Sequence, residues 1–392
     1  VPKAKKTGSN TTERDQLERL AKKSGDPVLL LAVQSSIIKT KLIHLKGWEP
    51  SSDGRVHCTY TNNPATFRFS TKRPNTQDFP VRSEEYLKMR RMVVPGKGYE
   101  WLVARDYSSI EPIQVALYAG DADYLRVAER GAHAYLAAFV MGHRVSLNLS
   151  DGELTLALNE AKCASKKAKL PGAEWSVYDA CKRANNGTNY GMTENMLHVS
   201  YPEAFPTRKH AWVTQQLLFT KFPKTYITWR NAVVDRADRE AVLVNDFGYP
   251  RWLWFVKQPK KGETTKQFQW TAEGGRMMER DEWPWLLTNV DKAVKMASVK
   301  HPNADKGWRW EWAEDAKAAI ATLPQSSGAA VLRRAIANVP WELYEDGHVF
   351  HTIHDELIAR AFDDADAERV SEQLRLAMEF SVPEQGNRIF RT

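Results

Sequence analysis

Cysteine is scarce in this 392-residue chain: Cys58, Cys163 and Cys181 are the whole complement. An odd, widely spaced set excludes a disulfide framework and carries no zinc-ligand spacing, so the thiols read as reduced side chains of an intracellular protein. Long apolar runs are also missing. The longest, around residues 27–33 (PVLLLAV), is far too short to span a bilayer. The N-terminus is basic, but residues 8–17 are polar where the apolar core of a signal peptide would follow. No internal repeat is visible. These absences predict an intracellular location.

What is present is basic charge and aromatic surface. The formal charge is +8, and the 14 Trp and 13 Tyr residues offer faces for base stacking as well as for cores. Excess Lys and Arg favours a polyanionic partner, because each phosphate contact releases condensed counterions. A solvated surface kept soluble by charge would look the same by composition. Apolar residues at 42% and charged residues at 27% suit a globular protein long enough for two or three subdomains.

Along the chain, residues 1–15 read as disordered or a frayed end, and residues 16–45 as one or two helices. Turn-rich sequence with Pro64, Pro74 and Pro80 follows. Residues 99–106 (YEWLVARD) read as a buried strand, and helical spacing starts at Ile110. Helices are predicted over residues 153–168, 176–199, 205–240 (broken near Pro223), 316–339 and 364–380. Residues 246–255 predict a turn entering an extended aromatic run. Residues 349–361 predict a hairpin, with Val349, His351 and Ile353 of one parity and Leu357, Ala359 and Ala361 of one parity beyond the turn. His354 and Asp355 would then occupy the bend, where hairpins favour glycine, and such poor turn chemistry marks functional sites.

Asp106 closes another apolar strand. Two strand-end aspartates far apart in sequence can meet at one sheet edge, and paired carboxylates suit two-metal phosphoryl transfer with ions about 3.5–4 Å apart. Mg²⁺ takes such hard oxygen ligands, completed by water and substrate phosphate. Taken alone, Asp106 reads more readily as a cap of the helix that follows and Asp355 as a turn residue.

Five segments, in order, carry a resemblance. Residues 104–121 (ARDYSSIEPIQVALYAGD), 182–192 (KRANNGTNYGM) and 351–357 (HTIHDEL) resemble motifs A, B and C of family A DNA polymerases. Residues 68–83 resemble the segment before motif A. The QSSGAA of residues 325–330 is similar to phage replicative members. The resemblance covers roughly residues 16–380. It implies an α+β fold: a right hand with an antiparallel-sheet palm, helical fingers and a partial helical thumb. The implied division is thumb over 1–60, palm over 61–150, fingers over 151–255, a family-atypical insertion over 256–312, and palm again over 313–392.

The resemblance implies a template-directed DNA polymerase that adds deoxynucleotides to a primer 3′ end and releases pyrophosphate. Asp106 and Asp355, with the carbonyl of Tyr107, would hold two Mg²⁺ ions, for which Mn²⁺ could substitute. Glu356 would be an auxiliary carboxylate, and Lys182 would meet the triphosphate. Asn186, Tyr190, Glu111 and His133 would bind nucleotide, with Glu111 as the steric gate against ribose. Lys41, Arg68, Asn75, Gln77, Gln325, His354 and Gly191 would contact DNA. Primer-template DNA and dNTPs are the implied partners, and a processivity factor or helicase fits the same role.

Four departures from the family pattern stand out. Asn186 replaces an aromatic ring, and Tyr178 stands where a second triphosphate-binding Arg is usual. Arg183 is nearby, but one helix position rotates it about 100° from Lys182. Residues 256–312 replace a short connection. No DxE exonuclease pattern is visible upstream, so the enzyme lacks proofreading or the chain is a fragment of a longer one. Two other readings share these residues: a single-subunit RNA polymerase, opposed by Glu111 and the His-Asp-Glu triplet, and a catalytically degraded polymerase fold acting as a DNA-binding scaffold.

Overall fold

The computed structural model describes residues 17, 20–21, 24–62, 66–77, 91, 93–170, 175–253, 256–260, 309–312 and 314–392. The predicted disorder at residues 1–15, most of the 256–312 segment and residues 78–83 lie outside them. The chain divides into two compact units, residues 1–64 with 69–93, and residues 65–68 with 94–392.

The first unit contains α1 (Pro27–Lys46) and a two-stranded antiparallel ribbon, β1 (Thr59–Thr61) with β2 (Ser70–Lys72). Asp26 starts α1: its side chain accepts from the Val28 N–H at 2.8 Å. From within β2, the buried Thr71 hydroxyl donates to the Asn75 side chain and accepts from the Thr76 N–H, folding the following turn back on the strand.

The second unit is mostly helical. Its helices are α2 (Ile110–Ala119), α3 (Ala122–Arg130), α4 (Ala132–Val140), α5 (Asp151–Lys167), α6 (Val177–Asn189), α7 (Glu194–Ser200), α8 (Arg208–Lys221), α9 (Arg230–Glu240), α10 (Glu314–Asn338), α11 (Trp341–Glu345) and α12 (Asp364–Met378). The predicted break at Pro223 is a π-helical turn, Lys224–Trp229. Caps set the helix starts. Ser150 and Glu153 form a reciprocal capping box on α5, and Asp121, Ser176, Thr193 and Thr207 cap α3, α6, α7 and α8.

One three-stranded antiparallel sheet organises the remainder, with β9 (Glu356–Ala361) between β3 (Trp101–Asp106) and β8 (Val349–Ile353). The short ribbons β4 (Val242–Val244) with β5 (Pro250–Trp252), β6 (Lys257–Lys260) with β7 (Arg309–Trp312), and β10 (Ser381–Val382) with β11 (Arg388–Ile389) are separate. α12 packs on β3 and β9, and Arg105 donates from β3 to the Ser371 hydroxyl on α12. Apolar residues fill two cores. One lies among α2 to α9 and the start of α10; the other joins the sheet to α10 and α12 through Leu357, Ala359, Val370 and Leu374.

Three expectations are corrected. The strand at Tyr99–Asp106 was expected to be buried, yet it alternates between exposed and half-buried positions. β3 is an edge strand covered on one face, and a short apolar run does not distinguish that from a central strand. The parity of β8 is interrupted by a register shift between Val349 and His351, which a strict period of two cannot show. The predicted helix over 176–199 is two helices, because the chain turns at Tyr190 and at Gly191, whose φ is 73°.

Candidate active site

The hairpin between β8 and β9 places the first carboxylates. Its two turn residues are His354 and Asp355, and His354 has φ 56°, a left-handed conformation that favours glycine. β9 then runs antiparallel to β3 in a register that sets Glu356 opposite Asp106. The Tyr107 N–H donates to the Asp355 carbonyl at 3.4 Å, just beyond the paired strands. Two segments separated by more than two hundred positions thus bring Asp106, Asp355 and Glu356 to one end of the sheet.

The electrostatics follow from that crowding. Asp106 is open to solvent on one side, but partial burial and the charges of Asp355 and Glu356 push its carboxyl up to about 7, with Lys182 opposing. Burial also raises Asp355, and there Arg68, its own backbone N–H, His354 and Lys182 oppose the shift. The like-charge repulsion is felt on Asp106, whereas cations dominate the surroundings of Asp355.

Arg68 ties several groups together. It forms an ion pair with Glu111, in the first turn of α2, and both side chains are about three-quarters buried (26% and 23% exposed). Glu111 is therefore not a freely solvated helix glutamate. The backbone beside Arg68 is held by Arg333, whose guanidinium donates to the Phe67 carbonyl at 2.7 Å, and the Phe67 ring packs on Tyr249. Arg68 also lies near Tyr190, whose hydroxyl is buried without a well-formed hydrogen bond. Burial pushes that hydroxyl up, while Arg68 and the amide of Gln325 on α10 hold it back.

α6 presents the remaining groups. Lys182 is exposed and its charge reaches Asp106, Asp355 and His133. Asn186 is half-buried one turn on, and Tyr190 is the C-cap residue after the last turn. Arg183 points elsewhere, over the Tyr201 ring at 5.6 Å, as its rotation from Lys182 predicts. His133 on α4 is buried edge-on to Tyr178, ring centroids 6.2 Å apart. Burial and the charges of Lys182 and Lys162 push its imidazole down to about 4.

Asp106, Asp355, Glu356, Lys182, Arg68, Glu111, Tyr190, Gln325, His133 and His354 are therefore linked by contact or charge. Asn75 and Gln77 lie in the first unit, where the Asn75 side chain accepts from the Thr71 hydroxyl and the Gln77 N–H. The side chain of Lys41 lies outside the described residues. Sequence reasoning missed a buried polar cluster behind α6. There Tyr226 and Tyr124 donate to the Asn189 side chain at 2.7 and 3.0 Å, and Asn185 donates to Tyr226 at 3.2 Å. Its signal was the i, i+4 pair Asn185 and Asn189, one position before Asn186 and Tyr190.

Among the described residues, no group of three or more His, Cys, Asp or Glu side chains is arranged to hold a metal. The donors at the sheet end are two aspartates beside one backbone segment. Hard oxygen donors with places left for water and phosphate suit Mg²⁺ or Mn²⁺ and not a closed zinc site.

The sequence model of DNA polymerase family A matches residues 1–147. DNA polymerase I of Mycobacterium tuberculosis is 31% identical over 315 residues, 76% of this chain and 31% of that protein. The chain belongs to the family A DNA polymerases. The corresponding protein of Lactococcus lactis is 36% identical over 148 residues, and that of Thermus aquaticus 27% over 263. Among solved structures, the POL domain of Pol1 from M. smegmatis, in complex with DNA primer-template and dNTP, superposes with a TM-score of 0.64. It shares 22% identity and is matched over 97% of this chain and 55% of its own. That likeness establishes the right-hand polymerase fold, α+β with an antiparallel sheet. The chain spans about a third of the length of the curated family A relatives that it matches over most of its sequence (31%). No helix among its described residues is long and apolar enough to cross a membrane.

Proposed function

We propose that this chain is the polymerase module of a DNA-directed DNA polymerase. The observation that carries the reading is the meeting of Asp106 and Asp355 at one end of the sheet, within electrostatic reach of Lys182. In the reaction the primer 3′ oxygen bonds to the α-phosphorus of a deoxynucleoside triphosphate, the bond to the β-phosphate oxygen breaks, and pyrophosphate leaves.

Asp106 and Asp355, with the Tyr107 carbonyl, would hold two Mg²⁺ ions, and Mn²⁺ would suit the same donors. When bound, the ions supply activation of the attacking hydroxyl and neutralisation of the leaving group. Lys182 places its ammonium against the triphosphate, where negative charge grows. His133, kept neutral by its surroundings, offers a hydrogen bond there and no charge. Glu111, held by Arg68, fills the space a ribose 2′-hydroxyl needs. Asn186 faces the nucleotide, and Tyr190 with Gly191 closes the templating position. Arg68 and Gln325 read acceptors common to every correct pair in the minor groove. Asn75, Gln77 and Lys41 contact the DNA backbone, His354 steadies the primer terminus, and Glu356 assists near it.

In this reading residues 1–60 are thumb, 61–150 and 313–392 palm, 151–255 fingers, and 256–312 an added element. The enzyme works in the cytoplasm on primer-template DNA, alongside a processivity factor or helicase. Extension of a primed template with Mg²⁺, comparing dNTPs with rNTPs, tests the assignment. Extension with dNTPs is expected. Extension with rNTPs alone would indicate an RNA polymerase, and DNA binding without extension a scaffold.

A further inference from the structure

The departure at Tyr178 has a counterpart on the neighbouring helix. α5 packs against both α4 and α6. Near its C-terminal end, Lys166 holds its ammonium over the Tyr178 ring, 5.5 Å from the centroid. Lys162 lies one turn earlier on the same face, close enough for its charge to act on His133. Both lysines are exposed, as is Lys182 on α6. None of the three forms an ion pair among the described residues.

Helix chemistry does not account for the pair. The macrodipole favours Lys166 and Lys167 in the last turn of α5 but has faded at Lys162. No acidic residue lies three or four positions from either, and like charges four apart oppose helix formation. Asp179, the nearest acid to Tyr178, is engaged with the α6 cap residue Ser176. Three ammonium groups around a neutral histidine and a tyrosine hydroxyl have the composition of a polyphosphate site.

We propose that Lys162 and Lys166, with Lys182, bind the triphosphate tail of the incoming nucleotide and supply from α5 the cation that Tyr178 does not. The assignment rests on the polymerase reading for the identity of the ligand. It places the triphosphate beside the packed helices α5 and α6, with the Tyr178 hydroxyl as a neutral donor.

Inorganic tripolyphosphate, titrated calorimetrically into the full chain, is the direct probe, and the KM for dNTP in primer extension is the second. For the K162A/K166A double variant, tripolyphosphate affinity should fall and KM should rise about tenfold, the worth of a charge-assisted contact. K166R, which keeps the positive charge, should lose less tripolyphosphate affinity than K166A. K167A, on the same turn but rotated about 100° away, controls for bulk charge and should bind as wild type. Unchanged affinity in the double variant, or an equal loss in K167A, overturns the proposal. If the wild-type chain binds tripolyphosphate and loses it in the double variant yet extends no primer, the polymerase reading fails while the site stands.

Discussion

The end of the sheet and the interior behind α6 gather polar groups on opposite terms. At Asp106, Asp355 and Glu356 the groups are charged, of one sign and open to solvent on one side, so they repel one another. At Tyr124, Asn185, Asn189 and Tyr226 they are neutral, buried and joined by hydrogen bonds, apart from the Asn189 amide nitrogen, which has no partner. The first arrangement costs folding free energy, and in the proposed function that repulsion is what bound cations would relieve. The second satisfies most of its hydrogen bonds internally and fixes where α6 stands. In the proposed site α6 would offer Lys182 and Asn186 to a ligand, and the neighbouring buried residues hold that helix in place.

The sharpest way to break the comparison is at Asp355. Asp355→Ala should reduce primer extension at least about a thousandfold, as for loss of a central catalytic group. Its melting temperature in metal-free buffer should equal or exceed that of the parent, because a source of repulsion is gone. A large drop in both activity and melting temperature would make Asp355 a structural residue. Behind α6 the balance reverses. Asn185→Ala should lower unfolding stability by about 2–3 kcal/mol in urea titration, since it strips a partner from Tyr226 and leaves buried groups unpaired. Unaltered stability there would show that the cluster does not anchor the helix.

Glu111 sits between the two regimes, charged but paired with Arg68. Glu111→Ala should raise the ratio of ribonucleotide to deoxynucleotide incorporation about tenfold, scored by extension with each nucleotide set. An unchanged ratio removes the gate assignment. The smallest effect is expected at Asp366 in α12, far from either region. Burial alone would raise its carboxyl, but the Phe362 N–H, Arg369 and His348 hold it below the usual range. A lowered folded pKa means the stabilisation is full above the unfolded value near 4 and vanishes as pH falls through the folded value. Asp366→Asn should therefore lose about 1 kcal/mol at pH 7, and the difference from the parent should shrink below pH 4. A difference independent of pH would rule out the carboxylate as its source.

Much of this was legible in the sequence where local chemistry and long-range order agreed. The hairpin bend at His354 and Asp355 was readable because glycine is missing where a turn prefers it, and the structure shows the positive φ that explains the preference. The helix at Ile110 and the interruption at Pro223 were readable from period and from proline. The exposure of β3 was not, since being an edge strand depends on a partner two hundred and fifty positions away, and Leu102 looks the same in either place. The pairing of Glu111 with Arg68 was hidden for the same reason: each alone is an ordinary surface charge. Tyr178 was readable as a missing cation, but Lys166 as its neighbour emerged only once α5 and α6 lay side by side.

The ribbon of β6 and β7 has a practical consequence. Its register pairs Lys257 with Trp312 and Lys260 with Arg309, so the chain leaves for residues 261–308 and returns at adjacent points. A segment tethered at neighbouring backbone positions is separable in the way a cassette is. Replacing residues 261–308 with an Asn-Gly turn would keep both strands in register and shorten the chain between them, and the junction would equally accept a foreign domain whose termini lie close together.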